Sequence, residues 1–484
     1  RRLDLAVMLL IAALPAYLIR FNIFGLPSTL LEVMIWAVFL VWAVKNFSRV
    51  KGNFLNNFKK GDKKIKVRYP FDWEIVLLLL IAFTAAGVAG FSSSSFGIFK
   101  AYFFEPVILF IVALNIMKGE KGREKILWAL AVSALAVSAL AIYQKITGQL
   151  IGNPLWAAAS TRRVVSFFGY PNAVGLYLGP IVLVMTGWFF SVIARSRALG
   201  ETTKQSLFAR NDIIVIIFIK LTIIASLLSI YFARSKGALL GVVVGLMAFG
   251  LMAGKKIRWA TLAIIIIATI GIAVYQPARD LAVENITFAN KSGQIRKAGW
   301  ADTLKMLKDD RLLTGAGLAN FQAAVAPYHT QGIFIKDSRD PDAQRKLVFN
   351  EAYRTAHWQP LEIYLYPHNI VLNFWSELGL AGVLLFIWII GKYFYLGALS
   401  LRGSASDRSN PRLEATNQRL LRSLRSLAMT DKYLVIGLIC AMVAIVVHGI
   451  VDVPYFKNDL AAMFWLLAAM MSLINLEKNY GKNL

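Results

Sequence analysis

The chain has 484 residues, 57% of them hydrophobic, and a mean hydropathy of +0.58, which excludes a soluble globular protein with the usual polar surface. Its net charge of +26 is not a nucleic-acid footprint, because the basic residues gather in short segments between apolar runs, as a membrane protein marks its cytoplasmic side. The single cysteine, Cys440, lies within an apolar run, so it can form neither an intrachain disulfide nor a cysteine-based metal site.

With roughly 20 residues per helical crossing, the apolar runs predict spans near 3–22, 27–45, 73–91, 98–117, 124–145, 171–194, 212–231, 235–253, 257–275, 368–397, 432–452 and 457–476. The predicted fold class is an all-α polytopic membrane protein with about twelve transmembrane helices and one long, partly helical external loop. Spans 1–9 with short loops occupy residues 1–275, the long external loop 276–366, and the last three spans 367–484, with a basic cytoplasmic loop near 398–431. The first run reads as a span rather than a cleaved signal.

Lysine and arginine orient the chain. The segment Lys45–Arg68 is rich in both and has one acid, Asp62, so it is expected on the cytoplasmic side. Alternation then places Lys118–Lys125, Arg195–Arg210, Lys255–Arg258 and Arg402–Lys432 with it, each of them basic, and makes both termini cytoplasmic. The external side receives Ser92–Ser95, Ile146–Tyr170, the turn at Arg234, the segment Gln276–Tyr366 and the turn Asp452–Asn458. In the long segment, Ile295, Ala298, Trp300, Leu304 and Leu307 recur at helical spacing and Gly315-Ala-Gly317 breaks the chain after them. On the cytoplasmic side, Leu401–Met429 carries arginines at helical spacing, the pattern of an amphipathic helix on anionic lipid.

Arg162, Arg163, Arg234, Lys236 and Arg296 break the orientation rule, since all fall on the external side. Arginine's planar fork makes two parallel charge-assisted hydrogen bonds to a phosphate, and two or three converging forks would hold a pyrophosphate. Tyr364–Leu380 is where the long polar segment re-enters an apolar one. Pro367 suits the first turn of a helix, which places His368 and Asn369 at a membrane helix entrance, where a neutral imidazole can take a proton from an incoming hydroxyl.

Other residues admit two readings each. Asn172 and Asn369 either orient sugar hydroxyls or cap helices. His448 and Asp452, one helical turn apart, form either an orienting pair or hydrogen bonds within the bundle. Lys220 and Glu105 lie within apolar spans and either pair with each other, bond to backbone or mark a lipid-facing groove. Glu377, in the span that follows His368, is a candidate buried partner for it. Tyr328, Tyr353, Trp358, Tyr364 and Tyr366 stack on sugar rings or form an aromatic belt. Asp337, Asp340 and Asp342 lie in a charged loop and read as solvated, so no metal site is expected.

Several stretches together carry a resemblance: Arg163-Val-Val-Ser-Phe-Phe-Gly-Tyr-Pro-Asn172, Ala233-Arg-Ser-Lys-Gly237, Arg296 upstream of Trp300 and the Gly315-Ala-Gly317 turn, His368-Asn369 with Glu377-Leu-Gly379, and His448 with Asp452. In order and spacing, from Arg163 to the C-terminus, they resemble the O-antigen ligase and polymerase family of bacterial envelope enzymes. The resemblance implies an integral glycosyltransferase of the bacterial inner membrane, working on its periplasmic face. It would move a glycan from an undecaprenyl pyrophosphate carrier to an acceptor hydroxyl on a glycan or lipid core, with inversion and without metal or other cofactor. It also implies roles, with Arg163, Arg234 and Arg296 holding the donor pyrophosphate and His368 acting as base. Asn172, Lys236, Asn369, His448 and Asp452 are candidate supporting residues. The expected partners are the lipid-linked donor, the acceptor and membrane lipids, with no nucleic acid. The competing function is a transporter or flippase of a lipid-linked or anionic glycan, which predicts inverted repeats and charges lining a path across the membrane; the charges here gather on one face and no repeat stands out.

Overall fold

A computed structural model describes residues 2–23, 26–59, 70–203, 210–337, 340–406 and 418–480. Helix dominates, because a chain in lipid must satisfy its backbone donors and acceptors internally. The N-terminal part runs α1 (Leu3–Ala12), a hairpin of β1 (Arg20–Ile23) and β2 (Leu26–Thr29), α2 (Leu30–Lys59) and α3 (Asp72–Val88). Next come α4 (Ser93–Ile98) and α5 (Glu105–Ile116), joined by a π-helical turn at Phe99–Phe104, then α6 (Gly119–Thr147), α7 (Pro154–Ala157), α8 (Pro171–Thr203), α9 (Arg210–Ala233), α10 (Lys236–Ala253) and α11 (Lys255–Val274). A polar-rich segment follows: α12 (Gln276–Ile286), α13 (Lys291–Asp309), α14 (Phe321–Val325), β3 (Gly332–Phe334), α15 (Ala343–Phe349), α16 (Glu351–Ala356) and β4 (Trp358–Pro360), with β3 and β4 antiparallel. The chain closes with α17 (Ile370–Ser406), α18 (Gln418–Gly449) and α19 (Asn458–Tyr480).

Nine helices among the described residues are long and apolar enough to cross a membrane. The expected span over 3–22 is not one of them. Its helix stops at Ala12, a 3-10 turn with Pro15 near its start follows, and the chain folds back through the hairpin that pairs Arg20 with Thr29. A proline beyond the first turn cannot continue a helix without losing a hydrogen bond, and hydropathy averaged over the run does not register the reversal. The amphipathic helix expected over Leu401–Met429 falls partly outside the described residues, and from Gln418 the chain already runs in α18.

At the centre of the bundle α8 packs on α9 and α18, α18 also packs on α10, and α19 packs on α5. Tyr177, Phe374, Phe464 and Trp465 are among the largest fully buried side chains. Helix α19 is buried on almost every side, with Ala461, Ala462, Ala468 and Ala469 letting its neighbours approach. By contrast, α11 buries no residue. At the end of the bundle opposite the α12–α16 segment, Arg123 joins Asp431 at 2.9 Å and also binds Glu477, tying α6, α18 and α19 together.

Helix α17 is broken. Gly379 takes φ 73° and ψ −174°, a conformation open to glycine at little steric cost, and a polar loop fills the gap. The Ala316 N–H donates to the freed Ser376 carbonyl at 2.6 Å, the Leu380 N–H to Leu313 O at 3.0 Å, and Trp375 Nε1 to Leu312 O at 2.7 Å. Buried Glu377 accepts from the Ala319 N–H at 2.8 Å. Non-helical backbone at membrane depth is tolerated where protein satisfies it in this way. The loop after α13 is therefore pinned to α17, and α13 with it. A small core of Met306, Leu307, Ala316, Phe321, Ala324 and Val325 completes the attachment.

Candidate functional site

His368 stands just outside α17, not in its first turn as the proline had suggested. The helix begins at Ile370 and Asn369 caps it, accepting from the Leu372 N–H at 3.0 Å while its own amide donates to Ile450 O at 3.1 Å. His368 has the left-handed backbone φ of 49°, uncommon for a residue with a side chain and often associated with functional sites. The conformation is held from outside: Trp300 Nε1 of α13 donates to Pro367 O at 2.8 Å, and the rings of Tyr364 and Tyr366 meet the imidazole edge-on at centroid distances of 5.0 and 4.9 Å.

His368 Nδ1 lies 3.7 Å from Oδ1 of Asp452, which is 1% exposed. That is longer than a hydrogen bond, and buried Nδ1 has no other partner, so a shift of under about 1 Å would complete the bond. The other Asp452 oxygen accepts from Asn172 Nδ2 at 3.1 Å, and Oδ1 accepts from the Val453 N–H at 2.9 Å. Burial works against the Asp452 charge, but contact with His368, the proximity of His448 and the Val453 N–H together bring its pKa down to about 2. An ionised carboxylate behind one ring nitrogen orients the ring and leaves Nε2 for chemistry.

The same network reaches an arginine. Arg163 Nη2 donates to Asn172 Oδ1 at 3.4 Å and its Nε to Ala233 O at 3.0 Å. Arg163, Asn172 and Asp452 thus form one hydrogen-bonded line that ends 3.7 Å from His368. Burial, followed by the charge of Arg234, lowers the Arg163 pKa. Arg234 is exposed and left-handed at φ 51° in the turn between α9 and α10, and Lys236, the first residue of α10, reaches Asn285 Oδ1 at 3.2 Å. Arg296 stands apart from these on α13: its Nη1 donates to Ser292 Oγ at 2.6 Å, while its buried Nε has no partner.

Arg296 and His368 line one cavity of about 410 Å³, together with Lys291, Asp302, His329 and Tyr364 among others. Arg163 and Arg234 do not line it. Asp302 is already engaged, accepting from the Thr330 N–H and hydroxyl at 2.8 Å each. Among the described residues no three His, Cys, Asp or Glu side chains gather as metal ligands would.

Four other expectations resolve differently. Arg162 donates to the carbonyls of Lys145, Ile146 and Ala157, closing the end of α6. His448 forms no side-chain pair with Asp452, which turns to His368 and Asn172; buried His448 packs on Gly237, where a Cβ would stand 2.7 Å from its Cδ2. Glu377 serves the loop and not His368. Lys220 and Glu105 do not pair: the first lies over the Phe189 ring and the second accepts from Trp36 Nε1 at 3.0 Å. Two cations near the site escaped the sequence reading, Lys291 in the cavity and Lys457. Lys457 lies in the Asp452–Asn458 turn with its Nζ 3.9 Å from the Tyr170 ring centroid, and the rule that singled out the other cations would have found it.

Residues 221–387, about a third of the chain, match a family model described as O-antigen ligase. No curated protein matches the chain significantly. The matched stretch contains Arg234, Lys236, Arg296, His368 and Glu377, while Arg163, Asn172, His448 and Asp452 lie outside it. Through that segment, which holds His368, Arg296 and the loop-filled break at Gly379, the chain is similar to the O-antigen ligase family.

Proposed function

We propose that the protein is an inverting, metal-independent glycosyltransferase of the bacterial inner membrane, moving a glycan from undecaprenyl pyrophosphate to an acceptor hydroxyl on its periplasmic face. The observation that carries this reading is His368, set in a cavity beside Arg296 with ionised Asp452 behind Nδ1. In the proposed step the acceptor oxygen attacks the anomeric carbon, its proton passes to His368 Nε2, and the bond from that carbon to the pyrophosphate oxygen breaks. The attack comes from the face opposite the leaving group, so configuration inverts. Arg163, Arg234 and Arg296 meet the charge growing on the pyrophosphate, a task suited to fixed cations in a partly dry site. A positioned base contributes about 10²- to 10⁴-fold. Asn172 links the donor side to the base, and Asn369 and His448 hold the surrounding backbone.

The alternation of helices with basic connections supports cytoplasmic termini, about twelve crossings and an external α12–α16 segment. Purified protein in detergent with EDTA, a lipid pyrophosphate-linked glycan and an envelope acceptor mixture should yield glycosylated acceptor and free carrier in equal amounts. Movement of that lipid across liposomes without transfer would replace the enzyme by a transporter. Acceptor mass distinguishes ligase from polymerase.

A further inference from the structure

Lys457 precedes α19 and is partly buried. Among the described residues no carboxylate comes within salt-bridge distance of it, and its close contact is the face of Tyr170 at 3.9 Å. Tyr170 carries that contact inward: its hydroxyl lies 3.4 Å from the hydroxyl of Tyr366, and the Tyr366 ring meets His368 edge-on at 4.9 Å. Both phenols are pushed toward the neutral form, by burial first and then by nearby phenol and carboxylate groups that include Asp452, so each can donate as well as accept. The chain Lys457, Tyr170, Tyr366 therefore reaches the imidazole.

Such a brace has a use at this position. His368 has a left-handed backbone outside any helix, and its Nδ1 lies 3.7 Å from Asp452 Oδ1, beyond hydrogen-bond distance. Its orientation must come from its neighbours. A cation over an aromatic face is attracted by the ring quadrupole, more strongly when desolvated, which favours one arrangement of the tyrosine pair. We propose that Lys457 is a positioning residue for transfer, bracing Tyr170 and Tyr366 so that they set the His368 ring against Asp452. The inference rests on the proposed transferase function.

The test is steady-state transfer kinetics with the full chain in detergent, using undecaprenyl pyrophosphate-linked glycan as donor. Lys457→Met should lower kcat about tenfold and leave donor and acceptor KM within about twofold. Lys457→Arg, which keeps a cation able to stack, should return kcat to within about threefold of wild type. Tyr170→Leu, which removes the same link from the other side, should reproduce the Lys457→Met loss and serves where Lys457→Met does not fold. A raised donor KM with unchanged kcat would make Lys457 a direct phosphate ligand and overturn the brace, as would unaltered kinetics in both variants. Absence of turnover in wild type would instead remove the transferase reading, and the brace with it.

Discussion

Asp452 is the residue on which the site's electrostatics turn. With its carboxyl near 2, it is ionised throughout the range in which transfer would be assayed, so an acid limb near neutral pH cannot be its own titration. Asp452→Asn removes the negative charge behind His368 Nδ1. Because that carboxylate orients the His368 ring, kcat should fall about 10- to 100-fold against the 10²- to 10⁴-fold expected of the whole base. An unchanged kcat would separate Asp452 from catalysis. The arginines make a different prediction. Arg163→Lys and Arg296→Lys should each raise donor KM about tenfold or more, because a point charge lacks the fork, while detergent-solubilised protein stays folded. The types of these residues were legible in the sequence. Their partners were not: His368 and Asp452 are far apart along the chain, and nothing local marks that Arg162 caps a helix while its neighbour Arg163 reaches the network.

Among the elements, α17 shows what hydropathy cannot reveal. An apolar run with Gly379 inside it reads as one helix, whereas the glycine's positive φ opens a gap that only a second segment, Leu312–Ala319, can fill. Gly315, itself at φ 68°, comes so close to the Trp375 and Ser376 carbonyls that a side chain would strike them. Replacing Gly379 or Gly315 with alanine puts a side chain on a positive-φ backbone, at a cost of about 1–3 kcal/mol, and adds a clash with carbonyls, that of Leu313 in the case of Gly379. Each variant should therefore lower the Tm in detergent and, because α13 is pinned through this loop, reduce transfer beyond the loss of folded protein. An Ala variant with unchanged Tm and activity would show the break to be incidental. The hairpin at 20–29 escaped the sequence reading because its first strand was counted into the end of the first expected span and its second into the start of the next.

For the whole molecule, helical content and membrane character followed from composition alone, because lipid leaves a chain few alternatives to helix. The exact number of crossings did not, since α1 is short and α3 stops at 17 residues. The proposed orientation can be read directly in cells. With buried Cys440 replaced by serine, Arg354→Cys should react with a membrane-impermeant maleimide added outside spheroplasts, while Lys121→Cys and Lys255→Cys should react only after lysis. The reverse pattern would put the cavity on the cytoplasmic side and remove the periplasmic reading. The central claim is that His368, oriented by Asp452 and facing the cavity of Arg296, is the base of glycan transfer. Its most direct test compares His368→Gln with wild type for both transfer and binding of undecaprenyl pyrophosphate-linked glycan. Transfer reduced by about 10²- to 10⁴-fold with donor affinity unchanged is the predicted result; transfer retained in that variant would contradict the account.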